Sequence, residues 1–196
     1  IKSTGNLKFI EHDILEINHS DKKLFSQFKK YKTFVAASTH NTEELFAAKT
    51  HILLKKKIKN IITIIIPRHI NRIDQIISQI NELGLNAISR RSNKKKLDNI
   101  DIYIVDTFGE SKKFYKFATT VFLGGSIIKR GGQNPLEPAR FGAKILHGPN
   151  IDNFKDVYKY LNQLKISSSI ISPQQCVNSI IFKKNMKKVK KMKYLS

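Results

Sequence analysis

The sequence predicts an α/β fold, a parallel sheet with helices on both faces. Three observations point to it. First, apolar runs of strand length recur: Phe34 to Ala37, Ile61 to Ile66, Ile100 to Val105 and Thr119 to Leu123. Second, these runs lack in–out alternation, as expected of strands buried on both sides. Third, stretches of helical spacing stand between them, the pattern of strand–helix–strand units.

In chain order, residues 1–30 read as a connector, with Leu7-Lys8-Phe9-Ile10 a short strand within it. Residues 31–196 read as the domain. Phe34 to Ala37 opens its sheet, followed by Ser38-Thr39-His40 and a helix from about Thr42. Ile61 to Ile66 is β-branched and closes at Pro67, which cannot donate to a ladder. Ile73, Ile76, Ile77, Ile80 and Leu83 form one apolar helix face, stopped by Gly84. Leu85 to Ser89 is a further strand, and Arg90 to Asn99 a basic loop. After Ile100 to Val105 come a short helix, Glu110 to Phe117, and the strand Thr119 to Leu123. A helix from Pro135 to Phe141, the strand Lys144 to Leu146 and a helix face of Phe154, Val157, Leu161 and Leu164 follow. Ile170-Ile171 is read as a last strand, and Ser172-Pro173 as the cap and first turn of a last helix.

Composition narrows the function classes. The chain carries 36 basic and 15 acidic residues, a net charge of +21. Nucleic acid, an anionic membrane face or anionic substrates would answer that charge. No nucleic-acid motif is visible and aromatics do not interleave with the basic runs, so no nucleic-acid partner is expected. Lys, Ile and Asn crowd the chain together, and their AT-rich codons supply part of the lysine excess as base composition alone. The one cysteine, Cys176, excludes an internal disulfide, and no metal or other cofactor is expected. HExxH, Walker A, GxSxG and CxxC patterns are absent from the sequence. The chain does not start with Met and shows no signal pattern, which suggests a piece of a longer protein.

Ligands of parallel sheets bind outside the carboxyl ends of the strands. Here those ends carry Ser38-Thr39-His40, Pro67-Arg68-His69, Asp106-Thr107-Phe108-Gly109-Glu110, Gly124-Gly125-Ser126 and Gly148-Pro149-Asn150 with Asn153. Gly124-Gly125-Ser126 and Gly131-Gly132-Gln133-Asn134-Pro135-Leu136-Glu137 also lead from a strand into a helix, with Asn134 placed as a cap. Such a corner offers backbone amides to an anion. Arg68 and the corner amides suit a phosphate, and Glu137 suits ribose hydroxyls or the capping of its own helix. For His40 and His69 the lesser alternative is that they are ordinary capping or surface histidines. The site is read as one for a nucleotide.

These blocks resemble 3-deoxy-D-manno-octulosonic acid (Kdo) transferases. The resemblance rests on Thr4-Gly5-Asn6-Leu7-Lys8-Phe9, Ala37 to His40 with Glu43-Glu44, Pro67-Arg68-His69 with Arg72, and Arg90-Arg91-Ser92. It continues through Val105 to Glu110, Phe122 to Ser126, Gly131 to Ala139, and Gly148-Pro149 with Asn153-Phe154. It implies a Rossmann-like C-terminal domain of a GT-B glycosyltransferase, the half that holds the donor CMP-Kdo. It further implies transfer of Kdo to a lipid A precursor at the cytoplasmic face of the bacterial inner membrane, in lipopolysaccharide biosynthesis. The resemblance assigns the catalytic base and much of the acceptor site to the N-terminal half, so no catalytic residue is expected in this stretch. The implied substrate-binding set is Ser38, His40, Arg68, His69, Asp106, Phe108, Gly109, Glu110, Gly124, Gly125, Ser126, Gln133, Asn134, Glu137 and Asn153. The chain departs from the family pattern at Gln133, usually His, at Phe108, usually a residue such as Met, and at Ser111, commonly Leu. Gln133 still hydrogen-bonds but carries no charge. Beside this reading stand a non-catalytic remnant and another GT-B or epimerase enzyme that uses a UDP-sugar. The basic segment Lys183 to Lys193 is expected to lie near an anionic membrane leaflet.

Overall fold

A computed structural model describes residues 19–92 and 96–181. Leu7 to Ile10 and Lys183 to Lys193 lie outside the described residues. The elements run α1 (His19–Phe28), β1 (Lys32–Thr39), α2 (Glu43–Lys55), β2 (Ile61–Pro67), α3 (Ile73–Glu82), β3 (Ala87–Ser89) and β4 (Ile102–Ile104). They continue with α4 (Ser111–Tyr115), β5 (Thr120–Leu123), α5 (Leu136–Arg140), β6 (Lys144–His147), α6 (Lys155–Gln163), β7 (Ser167–Ser169) and α7 (Pro173–Ile181). Short 3-10 turns at Ile70–Arg72 and Asp152–Phe154 precede α3 and α6.

The seven strands form one sheet in the order β3-β4-β2-β1-β5-β6-β7, and every pairing is parallel. The alternation of apolar runs with helices predicts this arrangement. Burial explains why the strands are apolar throughout: β2 and β5 are buried along their whole length. Along β1, Val35 and Ala37 enter one core with Phe25 and Phe28 of α1, Phe114 of α4, Ala139 of α5 and Tyr158 of α6. Phe34 and Ala36 enter the other, with Ala47 and Leu54 of α2, Ile76 and Ile80 of α3, and Val177 of α7. Period-2 side chains thus feed two cores from one strand.

Chain direction reverses about β1. The first crossovers lead from β1 to β2 and outward, and the later ones return to β5 on the other side. The crevice between the carboxyl ends of β1 and β5 is therefore the topological switch point, where such folds bind ligands.

Two local expectations differ from the structure. The last strand is Ser167–Ser169, not Ile170-Ile171. Ile170 does donate its N–H to His147 O (2.8 Å), but its side chain turns into a core and Ile171 is exposed. In the segment 1–30, residues 19–28 form α1, which places Phe28 at zero exposure against Tyr103 and Phe114.

Candidate functional site at the carboxyl edge

The carboxyl ends of β4, β2, β1, β5 and β6 line up in that order. At about 4.8 Å per strand they make an edge roughly 20 Å long. Every loop expected to carry the site lies on it, so Arg68 and Glu137 sit at the same end of the sheet.

At the centre, β1 ends in a bulge. Its register with β2 shifts between Ala37 and Thr39, and Ser38 takes φ 54°. The turn into α2 adds a second left-handed residue, Thr42 at φ 77°. Thr39 O accepts Arg68 N–H (2.8 Å), which ties the ends of β1 and β2 together. His40 and His69 then meet edge to face, with ring centroids 5.4 Å apart. His40 Nε2 is buried with no hydrogen-bond partner in the protein. Burial depresses the His40 pKa; Glu43 pulls it back up, and His69, Arg130 and Arg68 push it further down. Arg68 and His69 are exposed. The arrangement is a basic rim around a buried imidazole nitrogen, which can meet an anion.

The glycine corner differs from its expected role. Gly125 N–H and Ser126 N–H do point into a cradle, joined by Ile127 N–H, but a side chain already fills it. Glu43 Oε2 accepts Gly125 N–H (2.7 Å) and His40 N–H (3.0 Å). Glu43 Oε1 accepts Ser126 N–H (3.1 Å) and Ile127 N–H (3.0 Å). Glu43 is fully buried. Gly124 permits the approach, since a Cβ there would collide with Ser38 O and come within 2.7 Å of Glu43 Oε2. The corner amides are thus spent within the protein, which corrects the expectation that they meet a phosphate. Ser126 is spent as well. Its buried hydroxyl donates to Leu123 O and accepts Gly148 N–H (2.8 Å), pinning β5 to the end of β6.

On the β4 side, Asp106 is buried and accepts Arg91 N–H (3.1 Å). Phe108 stands 75% exposed at the tip of the loop, next to Gly109 at φ 74°. Glu110 faces inward to an ion network rather than outward. Arg90 reaches it through Nε and through Nη2 (2.8 Å to Oε1), Lys113 Nζ reaches it at 2.9 Å, and the Thr107 hydroxyl donates to it. Burial alone would raise the Glu110 pKa, but these donors outweigh it and hold the carboxyl at about 2. Arg90 and Lys113 also bind Asp21 of α1, at 2.6 and 2.9 Å. The loop that presents Phe108 is therefore braced from behind.

Past the corner, Asn134 Oδ1 accepts Leu136 N–H (3.0 Å) across Pro135, and it is Pro135, not Asn134 as expected, that stands at the N-cap of α5. Glu137 makes no capping hydrogen bond to its helix; its carboxylate stands 3.9 Å from Lys112 Nζ of α4, with 41% of the side chain exposed. The half-buried Gln133 accepts the Tyr158 hydroxyl on its carbonyl (2.9 Å), and its Nε2 lies beside Gly125. Asn153 donates its amide to Arg130 O (3.2 Å) and packs on Gly131, closing the loop.

The set that remains open to a ligand is thus His40, Arg68, His69, Phe108, Gln133 and Glu137. Sequence reasoning passed over Glu43 and Arg130 as site residues. The signal for Glu43 was present: an acidic residue in the first turn of a helix that starts at the switch point. Among the described residues, no group of three or more His, Cys, Asp or Glu side chains could hold a metal ion.

No family model matches the chain. Individual proteins do. The 3-deoxy-D-manno-octulosonic acid transferase of Rickettsia bellii is 34% identical over 177 residues, covering 90% of this chain and 42% of that protein. The protein of the same name from Rickettsia prowazekii is 33% identical over 189 residues, 96% of this chain and 41% of its own length. The Haemophilus influenzae transferase is 28% identical over 185 residues, 91% of this chain and 43% of that protein. Among solved structures, the C-terminal CMP-Kdo binding domain of WaaA from Acinetobacter baumannii superposes with a TM-score of 0.76 at 23% identity. That match covers 85% of this chain and 87% of that one, and it shows the shared fold. The chain is a relative of the 3-deoxy-D-manno-octulosonic acid transferases, matched over about two-fifths of their length.

Proposed function

We propose that the chain from α1 onward is the donor-binding domain of a Kdo transferase and holds CMP-Kdo at the carboxyl edge. One observation carries the reading. Among the described residues, the post-strand blocks that resemble the transferases converge on the switch-point edge, where an exposed Arg68, two histidines, an exposed aromatic ring and the Glu137 carboxylate remain available to a ligand. In this reading Arg68, His69 and His40 meet the phosphate, Glu137 the ribose hydroxyls, and Phe108 the base. Kdo transfer to a lipid A precursor needs a base and an acceptor site beside this domain. The chain by itself is then expected to bind donor without turning it over. The proposed setting is the cytoplasmic face of the inner membrane, with the lysines of Lys183 to Lys193 toward anionic headgroups.

Calorimetry with CMP and cytidine tests the reading. Arg68→Ala is expected to weaken CMP by about tenfold or more and cytidine little, because only CMP brings a phosphate. Glu137→Gln is expected to weaken both by about tenfold. Equal CMP affinity in wild type and both variants would refute these roles.

A further inference from the structure

The nest at the switch point is built as an anion site and is already occupied. Four backbone N–H groups, from His40, Gly125, Ser126 and Ile127, converge on one carboxylate at 2.7–3.1 Å. In folds of this topology a nucleotide's pyrophosphate lies over the first strand–helix turn and the helix N-terminus. Here the chain's own Glu43, fully buried, takes the His40 N–H of that turn together with three N–H groups of the facing loop after β5. A phosphate at the same place would lose those donors and would meet a second negative charge.

We propose that Glu43 is a specificity-determining residue, a resident anion that stands where a second phosphate would sit and so limits the site to nucleotides with one phosphate. This rests on the nucleotide reading above and extends it. The single phosphate is left to side chains: the unpartnered His40 Nε2 beside Gly125, the His69 ring 5.4 Å from that of His40, and Arg68, whose charge is felt at His40. A pyrophosphate would need the nest, and Glu43 holds it. No close fit of the sugar or base is involved, so the discrimination belongs to the phosphate count alone.

The test compares CMP with CDP on the whole chain and on Glu43→Ala. Wild type is expected to prefer CMP by about tenfold or more, since CDP adds a charge with no free donors to meet it. Glu43→Ala, which opens the nest, is expected to narrow that ratio by about tenfold. A purely structural Glu43 would weaken both nucleotides together and leave the ratio fixed. An unchanged ratio, or a wild type that binds CDP as tightly as CMP, overturns the proposal. If Glu43→Ala does not fold, Glu43→Ser carries the comparison, with the charge removed, the nest left open and the ratio moving the same way.

A second arm is independent of nucleotide. Formate, against chloride at equal ionic strength, should raise the melting midpoint of Glu43→Ala and leave wild type unmoved. Absence of a formate-specific rise overturns the resident anion, whatever CMP does. A wild type that binds neither CMP nor CDP, with formate rescue intact, instead removes the nucleotide reading and leaves the filled nest standing.

Discussion

Thr42 is held at φ 77° just before α2, where a β-branched side chain is poorly tolerated. The contacts on either side impose it: Glu43 N–H bonds His40 O (2.9 Å) while the Glu43 carboxylate reaches across to β5. The turn must be sharp enough to bring that carboxylate to the nest. Left-handed backbone costs about 1–2 kcal/mol at a non-glycine residue, somewhat more than a glycine loses to the unfolded chain. Thr42→Gly is therefore expected to raise the melting midpoint by up to about 2–4 °C, read by thermal unfolding. A drop would mean that the Thr42 side chain contributes more than its backbone costs. His40 shows the reverse economy at the same turn: a polar atom left unpaired inside the protein, where a ligand can satisfy it.

Among the elements, those with strong apolar patterns were legible. The Ile61 to Ile66 run and the Ile73-Ile76-Ile80 face became β2 and α3 because each buries what its spacing promised. Two elements escaped for the opposite reason. β7 is Ser-Ser-Ser, an edge strand whose ladder needs backbone and not apolar side chains. α1 is mostly polar and is anchored by Phe25 and Phe28, with Leu24 packed beside them and the Asp21 ion pairs alongside. The site was legible as a set of post-strand loops. What each loop does was not, because the partner of the corner amides sits 82 residues away in sequence at Glu43. The same holds for Glu110, whose partner Arg90 comes from another element and is shared with Asp21 of α1. The status of α1 can be measured. Phe28→Ala is expected to cost about 3–5 kcal/mol in urea unfolding, the price of a large cavity in a shared core. A cost below about 1 kcal/mol would make α1 a dispensable connector.

For the whole molecule, pH stability follows from its buried histidines. His51, fully buried, hydrogen-bonds Thr63 Oγ1 (2.9 Å) and lies 3.3 Å from Asp101 Oδ1 at the far edge of the sheet. Burial lowers its pKa, against the upward pull of Asp101; burial likewise lowers those of His147 and His40. In the unfolded chain these groups titrate near about 6.5. Below that pH the unfolded state binds more protons than the folded one, so stability falls as pH drops. Urea midpoints are expected to decline from pH 7.5 to pH 5.5. The carboxyls held low, at Asp21, Asp101 and Glu110, add a further loss only below about pH 4, near their unfolded values. A midpoint that is flat or rises toward pH 5.5 would contradict the assignment of neutral buried histidines.

The claim that organises the account is that a nucleotide binds at the carboxyl edge, around the switch point between β1 and β5. Backbone amide shifts on titration with CMP test it most directly. The account predicts shifts in the loops 67–69, 106–110 and 133–137 and at His40, with the opposite edge around Asn60, Asn86 and Asp101 unmoved. Shifts confined to that opposite edge, or none at millimolar CMP, would contradict it.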